Sequence, residues 1–149
     1  MSKIFKAKQS ISIDAPRSKV WDALINPEMI KRYFFGIEVR CDWKEGSYIF
    51  YRGSWRGQRF AERGNIVNIE PEEYLLINFW HAGSFLPDYL QNYKVLSYIL
   101  SGKRSATKLT ILQEFNDSKE EAMRANENWK TVLESLKMLL EKSGQTALI

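Results

Sequence analysis

Few residues in this chain have the chemistry of a catalytic or metal site. His81 is the single histidine and Cys41 the single cysteine. Neither a two-histidine metal site nor a cysteine cluster is therefore available, and no internal disulfide can form. A Cys–His nucleophilic pair would need these two to meet. Cys41 sits in an alternating apolar run, where a buried, inert thiol is the expected outcome. His81 reads either as an ordinary strand-end histidine, the preferred reading, or as a lone general acid or base. Asp14, Glu70, Glu72 and Glu73 fall in turn-like stretches and read as surface carboxylates. No catalytic residue, metal or cofactor is assigned.

Other residues are of kinds that bind. In "RGSWRGQRFAER", Arg52, Arg56, Arg59 and Arg63 alternate with Trp55 and Phe60, a mixture that can hold phosphates and stack bases. The preferred reading is a solvated hairpin with Gly53 and Gly57 at its turn. The net charge of +4 is too mild for nucleic acid to be the expected partner. Aromatic residues make up 13% of the chain. Tyr33, Phe34, Trp43, Tyr51, Phe79 and Trp129 either line an apolar ligand cavity or fill an ordinary core.

The elements that would position these groups are readable from pattern. The 149 residues suit one domain over 1–149. Residues 3–14 alternate as a strand. Pro16 suits the start of a helix, and Val20, Trp21, Leu24 and Ile25 give it an apolar face. Pro27 ends that helix at Asn26, which in turn caps a second one carrying Met29, Ile30, Tyr33 and Phe34. Six further strands follow, joined mainly by short turns that favour antiparallel neighbours. A long helix closes the chain from about Lys119 to Lys142, with Ser118 and Glu121 as a capping box and Gly144 as its stop. Residues 145–149 read as a tail.

Strand phase then sorts side chains. The long helix would face the sheet through Trp129, Leu133 and Leu136. Leu75, Ile77 and Phe79 would point toward it, with His81 in the same parity. On the last strand Leu109, Ile111, Gln113 and Phe115 share a face, which makes Gln113 a buried amide in need of a partner. A ligand, a trapped water or the protein's own backbone would satisfy it. The N-terminal residues lack a signal-peptide core and no apolar run is long enough to span a membrane, so a cytoplasmic location is expected.

Several stretches together resemble one family. "IDAPRSKVWDALINPEMIKRYF" is similar to the opening pattern of the START-like, or helix-grip (SRPBCC), superfamily, in the branch named after the activator of heat-shock-protein ATPase. "CDWKEGSY" resembles its D-x-(R/K)-x-G-G turn, with Ser47 at the second glycine. "SATKLTILQEF" and "NENWKTVLESLKMLLEK" resemble its last strand and helix, with Asn128 in place of a glycine. The likeness covers residues 4–142. It implies an α+β fold in which a curved antiparallel sheet of about seven strands grips the C-terminal helix around a cavity. The family pattern places Val95, Ser97 and Ile99 inside. The ligand-binding set is then Tyr33, Phe34, Tyr51, Phe79, His81, Ser97, Gln113, Trp129 and Leu133. The expected function is binding of a largely apolar small molecule. A cyclase- or dehydratase-type enzyme and a co-chaperone-like interaction module with an unspecified protein partner are the alternatives.

Overall fold

The computed structural model describes residues 5–55, 57–81, 87–103 and 105–146, with the backbone alone for Trp55, His81 and residues 143–146. The chain begins with β1 (Phe5–Ile13), followed by the helices α1 (Arg17–Ile25) and α2 (Pro27–Tyr33). Six strands come next: β2 (Glu38–Cys41), β3 (Tyr48–Trp55), β4 (Gln58–Glu70), β5 (Tyr74–His81), β6 (Lys94–Lys103) and β7 (Ala106–Asn116). The helix α3 (Lys119–Thr146) ends the described chain. The strands form one antiparallel sheet in the order β1-β7-β6-β5-β4-β3-β2. This is the expected α+β helix-grip architecture.

The order explains the two prolines. β1 and β2 lie on opposite edges, six strand spacings apart, or roughly 29 Å along a flat sheet. The linking segment must cross that span. α1 packs against β7, and α2 packs against β2 and α3, so the bend at Asn26–Pro27 lets one short helix serve each side. Asn26 accepts a hydrogen bond from the Glu28 backbone N–H at 3.0 Å, which is the expected cap.

The long helix is fixed to the β1 edge. The Asn126 side chain accepts from the Lys8 N–H at 2.9 Å, and Glu141 accepts from the Asp14 N–H at 2.8 Å. Lys137 donates to the Ser12 carbonyl at 2.6 Å. These bonds satisfy backbone groups that an edge strand would otherwise offer to another chain. At the helix start Ser118 Oγ accepts from the Glu121 N–H at 3.1 Å, while Glu121 returns a bond to the Asp117 N–H at 2.7 Å. The helix runs through Gly144 to Thr146, so Gly144 does not stop it, and only residues 147–149 of the expected tail lie outside the description.

Two sequence expectations about phase fail. Leu96, Tyr98 and Leu100 are the buried residues of β6, while Ile99 is exposed and Val95 and Ser97 lie on the outer face. Both faces of this strand are apolar, and the pairing Leu96↔Gln113 decides which one turns inward. Phe115 is also exposed. Its backbone is left-handed (φ 66°), which resets the alternation and turns Asn116 inward in its place.

Candidate functional site

α3 contacts β1 and β7 much more than the middle strands, and it leaves a pocket of about 740 Å³ between itself and the inner face of β3–β6. The walls are mainly apolar and aromatic, with Phe34 from the end of α2, Phe60 and Phe79 from the sheet, and Trp129 from α3. Gln58, Arg59 and Arg124 line the same space and are exposed, which marks the mouth between the β3–β4 hairpin and the first half of α3.

Trp129 is held on three sides. Phe34 and Tyr98 meet its ring edge to face, with centroids 5.5 and 6.0 Å away. Its indole N–H donates to Gln113 Oε1 at 2.9 Å. Gln113 Nε2 donates to Asn116 Oδ1 at 2.7 Å, and Asn116 Nδ2 donates to the carbonyls of Phe5 and Gln113, both at 3.0 Å. The buried Gln113 amide, for which a ligand, a trapped water or the protein's own backbone is the expected partner, is satisfied inside the protein by the side chains of Trp129 and Asn116. Satisfied buried networks of this kind fix side-chain positions, and here the position fixed is that of the pocket's largest ring.

The other polar residues of the pocket come from β3, β4, β6 and α3. Glu62 shares its face of β4 with Phe60, Gly64 and Ile66, and it pairs across the sheet with Tyr51. Burial lifts its carboxyl pKa to about 7, against the smaller opposing pull of Lys94. Burial likewise raises the Tyr51 and Tyr98 hydroxyls well above their usual range, with Glu62 adding to both. These phenols stay neutral and can donate hydrogen bonds. Lys94 is buried at the pocket wall and reaches Glu121 at 3.0 Å and Asp117 at 3.6 Å. Gly64 stands between Glu62 and Ile66 because a Cβ there would lie 1.7 Å from the Asn78 carbonyl oxygen.

The sequence model of the family described as "Activator of Hsp90 ATPase homolog 1-like protein" matches residues 14–141. The chain belongs to that family. Its helix-grip fold is shared by solved structures. One is ChR145 from Cytophaga hutchinsonii, with 34% identity, a TM-score of 0.81, and coverage of 97% of this chain and 99% of that one. CalU16 from Micromonospora echinospora has 21% identity and a TM-score of 0.70, with coverage of 93% and 83%. DynU16, from the dynemicin biosynthetic locus, has 18% identity and a TM-score of 0.77, with coverage of 93% and 48%. No curated protein matches the chain significantly.

Within this Hsp90-activator-like fold, the sequence-derived residues whose side chains are described divide three ways. Phe34, Tyr51, Phe79, Gln113 and Trp129 line the pocket together. Tyr33 and Leu133 do not; they are buried in the core beside it. Ser97 lies on the opposite face of the sheet, since its strand is in the other phase. The backbone of His81 pairs with Glu62 at the end of β5, and its side chain is outside the described part. Of the arginine-rich hairpin, Arg52 pairs with Glu38 at 3.1 Å and Arg63 pairs with Asp88. Arg59 reaches the pocket mouth, and Arg56 lies outside the described residues. Gly57 forms the turn with φ 84°, whereas Gly53 sits within β3. No group of three metal-ligating side chains occurs among the described residues. No helix among them is long and apolar enough to cross a membrane.

Proposed function

We propose that this chain is a small-molecule binding protein that encloses a largely apolar ligand between the inner face of β3–β6 and α3. One observation carries this reading. A space of about 740 Å³, lined by rings and a few placed polar groups, sits next to a core of almost wholly buried apolar side chains. That is the size and character of ligand sites in general. Cys41 is a free thiol, which suits action in a reducing cytoplasm. The test is a titration of ¹⁵N-labelled protein with N-phenyl-1-naphthylamine, a neutral aromatic probe. Saturable shifts should centre on Phe79, Leu96, Gln113 and Trp129. Shifts confined to the outer face of the sheet would refute the reading.

Glu62 supports a second, catalytic reading. A carboxyl with a pKa near 7, facing two neutral phenols, suits proton transfer to or from a bound carbonyl compound. In that case turnover of a substrate found with the protein should follow the Glu62 titration and vanish in Glu62→Gln with binding retained. Unchanged turnover in that variant would remove this reading.

A further inference from the structure

The charges around the pocket are arranged by depth. Arg59 on β4 and Arg124 on α3 both line its exposed mouth. Neither makes an ion pair with another described residue, whereas Arg52 and Arg63 of the same hairpin are matched to Glu38 and Asp88. Gln58 and Asn128 stand beside them as neutral amides. Two guanidinium-bearing residues on different elements, neither ion-paired among the described residues, thus line one opening, and guanidinium groups are ready partners for an anion.

The interior offers a cation much less. Glu121 is taken up by Lys94. The other wall carboxylate, Glu62, carries only part of its charge near neutral pH. The titratable and charged groups lining the pocket with it are Tyr51 on β3, Arg59 on β4, Lys94 and Tyr98 on β6, and Glu121 and Arg124 on α3. Its backbone partner on β5 is His81.

From this arrangement we infer that the pocket selects an amphiphilic organic anion. Its apolar body lies against Phe34, Phe79 and Trp129, and its carboxylate, sulfonate or phosphate lies between Arg59 and Arg124. The inference rests on the binding reading above and adds the charge of the ligand. It also has a consequence for pH: as Glu62 loses its proton, the pocket becomes less favourable to an anion.

The probes are 1-anilinonaphthalene-8-sulfonate and N-phenyl-1-naphthylamine, which share one apolar body and differ by the sulfonate. Arg59→Gln with Arg124→Gln should weaken the sulfonate by about tenfold and the neutral probe by less than about twofold. Both positions are exposed, so the double variant should fold as the parent does, which thermal melting verifies. Added salt should weaken the sulfonate selectively in the parent protein. Its affinity should also fall between about pH 6 and pH 8, and Glu62→Gln should abolish that fall. An equal effect of the arginine changes on the two probes, or none on the sulfonate, would overturn the anion inference and leave the pocket standing. Failure of both probes to bind the parent protein would remove the inference and the binding reading together.

Discussion

The inner face of the sheet has two halves built from the same alternating strands, and they end in different states. In one half, Ile13, Ile66, Leu75, Leu109 and Ile111 are almost wholly buried, in a core shared with Val20, Leu24, Leu133 and Leu136. In the other, Tyr51, Glu62, Phe79, Leu96 and Gln113 face open space. The strand pattern does not separate these halves; coverage does. α1, α2 and the β1-bound length of α3 cover the first, while the second lies under the part of α3 that contacts few of the middle strands. Once coverage is withdrawn, the same pleated surface tolerates a carboxyl, a lysine and tyrosine hydroxyls.

Substitutions across the boundary sharpen that contrast. The largest expected effect is at Trp129, which belongs to both halves. Trp129→Ala removes a buried ring, its two ring contacts and the partner of Gln113, and should cost about 3–5 kcal/mol in denaturant unfolding. A loss below about 1 kcal/mol would mean that the ring supports no structure on either side.

Glu62→Gln should act in the opposite direction, and only at higher pH. The folded-state pKa lies above the unfolded value, so between about pH 4.5 and pH 7 the folded protein holds a proton that the unfolded chain has released. Stability from this group is therefore complete below pH 4.5 and is lost as pH rises through 7. The variant should gain up to roughly 3 kcal/mol at pH 8 and little at pH 4. Equal gains at both pH values would place Glu62 outside the low-dielectric wall. The smallest effect is expected at the mouth, where Arg59→Gln alone should change stability by less than about 0.5 kcal/mol. A larger loss would make Arg59 a structural residue of the packed half.

Much of the covered half was legible in the sequence. Asn26, Pro27 and the Ser118–Glu121 box set the helix starts, and Leu75 and Ile77 face inward as their alternation requires. The open half was harder to read, for physical reasons. A strand apolar on both faces, such as Lys94–Lys103, gives no phase until its neighbour's register is known. A left-handed residue at Phe115 exchanges Phe115 for Asn116 without any glycine to announce it. Nothing in the composition of the arginine-rich hairpin marks Glu62, but its parity with Phe60, Gly64 and Ile66 carries the signal. Charged residues on an inner face become readable only where the space they face is known to be open.

Whether that open half is a binding site or merely a loosely filled core is tested most directly by filling it. Ala125 lies on α3 at the pocket wall, and Ala125→Phe places a ring in the space, while Asn128→Trp closes it from the mouth. The measurement is the calorimetric affinity of N-phenyl-1-naphthylamine for the parent protein and for each variant, with thermal melting as the check on folding. A pocket of the kind described requires one-to-one binding to the parent and at least about a tenfold loss in the folded variants. Undiminished affinity in either folded variant would contradict it, because the probe would then be binding somewhere other than the space between the sheet and α3.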